Sequence, residues 1–355
     1  MFRARTCRES GTAWHRTSRP LVRRRCPASA DRAPQRRGRV SGESHRPNPV
    51  AGRQVNTTDE QLRAVFADAG CRGWVRAERI DGTGTVVDYE GDEPVVAASV
   101  WKIVLLVAAA RAFDEGSLTA TDSVRLVPAQ CSPGPTGISS YADPVTMSWR
   151  DIARSMITVS DNAAADALLG ALGLDSLATV IEDLGLEQTR IVGGTKQLGD
   201  QIVRDTGRLN ADEAVGLLAS NYTVVDSSGF DPAYTSCTTP RDSNTVLRSI
   251  WLGTAASQAQ CRYMKEVLSQ QVWPHRIRSG IPYPDVQVAG KTGTIGPIRN
   301  EVAVVSFPGE KPVAVSVFTR AARMDLFLPL VDQAIGSAAR IAVTAVRQAP
   351  HSGTP

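Results

Sequence analysis

The stretch "AASVWKIVLLVAAARAF", Ala97 to Phe113, decides how the rest of the chain is read. It is an apolar run of helical character that ends in charged residues and a glycine, Gly116. A serine at a helix start is ordinary, because its hydroxyl can cap free backbone N–H groups. A lysine three residues later is not, since Lys102 stands among Val100, Trp101, Ile103, Val104, Leu105 and Leu106. An ammonium is normally kept out of such surroundings. On a helix, positions three apart share a face, so Ser99 and Lys102 are within reach of one another. Desolvation lowers a lysine's pKa toward values at which it accepts a proton. The pair therefore has two readings, an N-cap beside a snorkelling lysine or a nucleophile with its own base.

Working outward, elements on both sides suggest an α+β fold. A helix is expected from about Thr58 to the stop at Gly70, followed by two strands around the turn of "WVRAERIDGTGTVVDYE". A mostly helical block runs from about Ser148 to Asn221, and another helical stretch lies near 255–271. Three strands then follow, "VQVAGKT", "EVAVVSF" and "VAVSVFT", the last two joined across Pro308–Lys311. A helix from about Met324 to Val346 closes the body. This order implies a sheet lobe from residues 55–117 and 275–348 and a helical lobe from 118–274. Together they make one catalytic domain, 55–348.

Composition agrees with a packed body and an unpacked leader. The chain has 355 residues, 42% of them hydrophobic, and a formal charge of +4. Residues 1–54 carry 14 arginines against Glu9, Asp31 and Glu43, a balance of +11, so the remainder carries −7. Such a leader cannot bury enough surface to offset its ordering entropy, and disorder is expected there and in the tail, 349–355. Contact of the arginines with nucleic acid or a membrane surface is the minor reading. No apolar signal core is visible and no run approaches the ~18 apolar residues of a membrane span, so a cytoplasmic protein is expected. Six scattered cysteines point to free thiols rather than a disulfide framework, and no residues are spaced as metal ligands. No cofactor is expected. With His275 alone of the four histidines lying inside the body, a serine nucleophile would need a base other than histidine.

Two further patterns carry chemistry. "VSDN" places Ser160, Asp161 and Asn162 between two helical segments, where one of them could cap the second helix. A serine there could also relay a proton, and an amide could hold a carbonyl. "VAGKTGT" puts Lys291, Thr292, Gly293 and Thr294 at a strand end. The lysine and the hydroxyls suit a carboxylate, and Gly293 permits close approach of a backbone. A phosphate loop is excluded, because Asp285 stands where that motif needs its first glycine.

In this order, S-x-x-K, S-D-N and K-T-G resemble the signature set of class A β-lactamases and penicillin-binding proteins. The likeness spans roughly residues 58–346, and it implies a β-lactamase-like α+β fold: a five-stranded antiparallel sheet flanked by helices, plus a mostly helical lobe. It gives Ser99 the role of acylated nucleophile and Lys102 that of base or proton relay. Ser160 would pass the proton to the leaving nitrogen, and Asn162 would bind the acyl side chain. Lys291, Thr292, Gly293 and Thr294 would line the carboxylate site, with the backbone N–H groups of Ser99 and Thr294 as oxyanion hole.

The resemblance fails at one place. Class A enzymes activate the deacylating water with a glutamate, and the corresponding position here is about Thr195. Glu187, Asp200 and Asp205 are the acids nearby. Without that glutamate, an acyl-enzyme would await a better acceptor than water. Expected partners are therefore a small-molecule acyl donor and a nucleophilic acceptor, as in transacylases of specialised metabolism. Hydrolysis with a substitute base is the alternative, and a non-turnover binding protein stands third.

Overall fold

The computed structural model describes residues 57–220 and 227–348, so the Arg-rich leader and the tail lie outside the described residues. The chain opens with α1 (Thr58–Asp68), capped by Thr57 in a reciprocal capping box with Glu60, and enters β1 (Cys71–Arg79) and β2 (Val87–Tyr89). A two-residue strand, β3 (Val95–Val96), leads through a 3₁₀ turn at Ala98–Trp101 into α2 (Lys102–Glu115), which Gly116 ends at φ 74°. The hairpin β4 (Ser123–Leu126) and β5 (Val145–Ser148) precedes α3 (Trp149–Thr158), α4 (Asn162–Asp183), α5 (Thr195–Thr206) and α6 (Ala211–Ser220). Next come β6 (Cys237–Thr238), α7 (Pro240–Leu252), α8 (Gln258–Ser269) and the single turn α9 (Ile277–Gly280). The chain closes with β7 (Gln287–Ile295), β8 (Ile298–Ser306), β9 (Val313–Ala321) and α10 (Pro329–Gln348).

The five long-expected strands form one antiparallel sheet in the order β2-β1-β9-β8-β7. First and last segments of the chain thus pair through β1 and β9, as the sequence implied. The sheet's two faces follow the period of two. Val75, Ala77, Val305, Val315 and Val317 pack with α1 and α10, while Trp74, Val302, Val304, Ala314 and Phe318 turn to the other core with α2 and α4.

Three expectations need correction. The closing helix begins at Pro329 rather than near Met324, because proline suits the first helical turn and the preceding "MDLFL" stays irregular. Helix α7 was not anticipated, although Thr239 caps it, Pro240 opens it and Gly253 ends it. Helix α2, grouped with the sheet by sequence position, belongs equally to the helical core: its buried residues share one cluster with those of α3, α4 and α8. That burial explains Leu105, Leu106 and Val107 at 0% exposure, and it carries Lys102 inside with them.

Candidate active site

Three segments meet at one place: the turn before α2, the loop between α3 and α4, and the strand β7. Among the described residues only Glu90, Ala98 and Ser160 are non-glycine residues at positive φ, and two of these three flank the site. Ala98 (φ 44°) precedes the nucleophile candidate and Ser160 (φ 63°) leads the S-D-N segment. Backbone in this region is strained for a residue with a Cβ, and it persists where surrounding contacts hold it.

Ser99 sits in the 3₁₀ turn, partly exposed, and does not cap α2. Among the described residues its hydroxyl makes no hydrogen bond, which leaves it free to meet a substrate. Lys102 is wholly buried. Its Nζ donates to Ser160 O (2.8 Å), Asp161 O (3.3 Å) and Asn162 Oδ1 (2.9 Å). Burial pulls its pKa down to about 7, against the negative charges of Asp161 and Asp166 that hold it up. Lys291 is equally buried, and its Nζ donates to Ser160 Oγ (2.9 Å) and to Thr292 O (2.8 Å). Burial first, then the charges of Lys102 and Arg276, put its pKa well below the usual lysine range. Ser160 thus bridges two buried amines, its carbonyl on one and its hydroxyl on the other.

The S-D-N segment is fixed by its middle residue. Asp161 Oδ1 accepts from Ala164 N (3.1 Å) and caps α4. Its Oδ2 accepts from Ile138 N (2.8 Å) and Ser155 Oγ (2.8 Å). Asn162 was expected to bind an acyl side chain. Here its amide makes two contacts: Oδ1 accepts a hydrogen bond from Lys102 Nζ (2.9 Å) and Nδ2 donates to Pro133 O (3.0 Å). Gly293 also differs from expectation. A Cβ on it would lie 3.0 Å from Ala97 O and 3.2 Å from Ala98 Cβ, so the backbone it admits is the nucleophile turn itself. Thr292 and Thr294 lie beside it on β7.

Several residues of this site left no clear mark in the sequence. Arg276 is buried and clamps β7: Nη1 donates to Gly293 O (3.0 Å) and Asn300 O (2.7 Å), Nη2 to Thr294 Oγ1 (2.8 Å), and Nε to Asp332 Oδ1 (2.7 Å). Gln271 accepts from Thr292 N (2.5 Å) and donates to Glu301 Oε1 (2.9 Å). Glu301 is buried on β8, and burial raises its pKa to about 7. Asn300 Nδ2 donates to Val96 O (2.9 Å), tying β8 to the approach to the nucleophile. Asn300 and Glu301 stand out as buried polar side chains inside β8, whereas Arg276 and Gln271 lie in the segment between α8 and β7 and show their role only once the strands are paired. His275, by contrast, is on the surface, 4.0 Å from Asp332, and serves no serine.

At the position of the missing glutamate, Thr195 opens α5. Its backbone N–H donates to Asp166 Oδ1 (2.7 Å) and its hydroxyl to Asp166 Oδ2 (2.7 Å), while Lys196 N also donates to Oδ2 (2.8 Å). Ser132 Oγ completes the set around that carboxylate. Asp166 stands one turn beyond Asn162 on α4, and its oxygens are occupied by the loop they hold. The three acids named from the sequence lie in different settings. Glu187 is exposed, beside the cleft of Leu177 and Ile181. Asp200 pairs with Lys196 (2.8 Å), and Asp205 accepts from Ser227 and Ser228.

Comparisons with known proteins bear on the family and the fold. Residues 57–346 match the model of the beta-lactamase enzyme family. The carbapenem-hydrolyzing beta-lactamase KPC of Klebsiella oxytoca is 28% identical over 289 residues, 78% of this chain and 87% of that protein. The beta-lactamase regulatory protein BlaB of Streptomyces cacaoi is 22% identical over 274 residues, 73% and 88% of the two chains. Among solved structures, the beta-lactamase of Sphaerobacter thermophilus superposes with a TM-score of 0.65 at 26% identity, covering 82% of this chain and 98% of its own.

Proposed function

Because the chain belongs to the beta-lactamase enzyme family, we propose that this serine enzyme forms an acyl-enzyme on Ser99 and passes the acyl group to an amine or similar acceptor. The observation that carries the reading is Thr195, bound with its hydroxyl to Asp166, in the place where a water-activating glutamate would stand. The neutral Lys102 amine takes the Ser99 hydroxyl proton as Oγ bonds to the carbonyl carbon of an ester, amide or lactam. Charge on the carbonyl oxygen is met by the N–H groups of Ser99 and Thr294. Collapse breaks the bond to the leaving group, which takes the Ser160 hydroxyl proton, and the proton that Lys102 took from Ser99 replaces it, so that Ser160 and Lys102 are both restored. Lys291 stands 2.9 Å from that hydroxyl and supports the relay. In the second half the acceptor's nitrogen lone pair attacks the ester carbon, Lys102 takes the N–H proton and delivers it to Ser99 Oγ as the bond from the carbonyl carbon to Oγ breaks, and the acylated amine leaves.

A second reading, hydrolysis, draws on the names of the relatives, which include beta-lactamases and a carbapenem-hydrolyzing one. Mixing the protein with a chromogenic β-lactam separates the two. The transfer reading expects a burst of one equivalent, an intact-mass adduct on Ser99, and its faster loss when primary amines are added. Rapid turnover without amines overturns it. Ser99→Ala should form no adduct, and an adduct in that variant would overturn the nucleophile assignment.

A further inference from the structure

The apolar segment α4 kinks at Gly173 (φ 77°), and only about a third of its most apolar window is buried. One side of it packs in the helical core through Ala164, Ala165, Leu168 and Leu177. Along another side the floor is made of small residues, Ala163, Ala167, Gly170 and Gly173, and above it lies a trench of about 560 Å³. That volume falls within the range of small-molecule sites, roughly 300–1,000 Å³. A side chain begun at Gly170 would meet nothing within 4 Å. Leu126 and Cys131 form one wall, and Val192 and Lys196 the other, with Leu174 at the far end. Leu174 and Val192 are 42% and 47% exposed, apolar surface that a ligand would cover.

The trench begins where the candidate site ends. Ala163 directly follows Asn162, Asp166 is one turn on, and Ser132 precedes the Pro133 carbonyl that holds the Asn162 amide. From Ala163 to Gly173 the helix covers about 15 Å. We propose that this trench receives an extended, apolar acyl chain, so that the acyl groups preferred on Ser99 are lipophilic and linear. The inference rests on the acyl-enzyme reading for its chemistry, but the trench itself binds by shape and burial. The small-residue floor admits a chain lying along α4, while the polar rim of Asp166, Lys196 and Gln130 keeps the carbonyl end near the mouth.

Two measurements test it. Acylation rates are compared for β-lactams whose N-acyl chain lengthens from acetyl to decanoyl, in the wild type and in Gly170→Phe. The wild type should gain up to about fourfold in kcat/KM per buried methylene. Gly170→Phe should keep the acetyl rate and lose the gain, since the ring occupies the floor and glycine is no help to a helix interior. Separately, decanoate should slow alkylation of Cys131 by iodoacetamide, followed by peptide mass, with no acylation required. A flat chain-length series in the wild type, or Cys131 alkylation that decanoate leaves unchanged, overturns the proposal. A Ser99 acetyl adduct that forms while the series stays flat would sink the trench and leave the acyl-enzyme standing.

Discussion

Two buried polar clusters lie against the sheet, and they solve the problem of buried charge in opposite ways. Beneath β1 and α7, Arg76 Nε donates to Glu78 Oε1 (2.9 Å) and Arg248 to Glu78 Oε2 (3.3 Å). Asn244 donates to the same carboxylate (3.3 Å) and accepts from Ser316 Oγ (2.8 Å). Each cation there meets an anion. Between α2 and β7, Lys102 and Lys291 are buried to 0% exposure, and among the described residues neither has a carboxylate within ion-pair range. Their contacts are carbonyls, an amide oxygen and a hydroxyl. Matched charges hold elements together, whereas burial without a paired anion disfavours the charged form of both lysines. The first cluster serves the fold and the second serves chemistry.

The largest expected effect breaks this contrast directly. Lys102→Met removes the base and an unmatched charge together. Acylation of Ser99 should fall by about 10²–10⁴-fold, the scale of general-base catalysis. Folding stability at pH 7 gains from an apolar chain of similar length in place of a buried amine. It loses from Ser160 O, Asp161 O and Asn162 Oδ1 left without that donor, so the net change should be small. Asn244→Leu should do the reverse. It leaves Glu78 and Ser316 short of a partner and costs roughly 1–3 kcal/mol, with acylation per folded molecule unchanged. Denaturant titration and stopped-flow acylation of both variants read the two quantities. If Lys102→Met destabilises as much as Asn244→Leu, the clusters are not different in kind.

How much of this was legible in the sequence follows the same division. The three motifs gave Ser99, Lys102, Ser160 and Lys291, because a nucleophile and its amines must sit at fixed offsets on a helix, a loop and a strand. The sheet was legible too, since β8 and β9 carry apolar runs, Val302–Val305 and Val313–Val315, on either side of turn residues. What stayed hidden depends on pairing across long distances. Arg276 matters because α9 sets it against Gly293, and Glu301 because β8 faces β7, with Thr292 opposite it in register. Asn162 and Gly293 were assigned to substrate from residue type and resemblance, and the contacts that Asn162 makes with Lys102 and Gly293 with the nucleophile turn had no mark in the sequence. Asp166 lies within the apolar run of α4 and reads there as an ordinary exposed acid.

A second test moves the carboxylate. The loop at Thr195 takes its negative charge from Asp166 on α4 instead of from its own side chain. Thr195→Glu alone would set two carboxylates side by side, and one of them would hold a proton and serve poorly as a base. Combining it with Asp166→Asn keeps an acceptor for the loop and leaves one carboxylate. Hydrolysis of the Ser99 acyl-enzyme should then accelerate on the order of 10²-fold, and the single variant should gain less. Decay of the intact-mass adduct in buffer without amines measures it. Equal gains in single and double variants would mean that Asp166 does not govern this loop.

The smallest effect lies in stability against pH, where the two buried lysines and Glu301 should leave a trace that their own variants remove. Lys102 falls from 10.5 to about 7 on folding and Lys291 is lowered as well, so between about pH 7 and 10.5 the unfolded chain binds more protons. Stability therefore rises with pH across that window. Glu301 moves the other way, from 4.5 to about 7, so the folded chain holds the extra proton between those values and stability falls as pH climbs through them. The two limbs meet in a shallow minimum near pH 7, each sloping by at most about 1.4 kcal/mol per pH unit for one proton. Lys102→Met should flatten the upper limb and Glu301→Gln the lower, in urea midpoints taken from pH 5 to 10. A curve without the minimum would place both lysines in the folded state as ammonium ions, and Lys102 could then take no proton from Ser99.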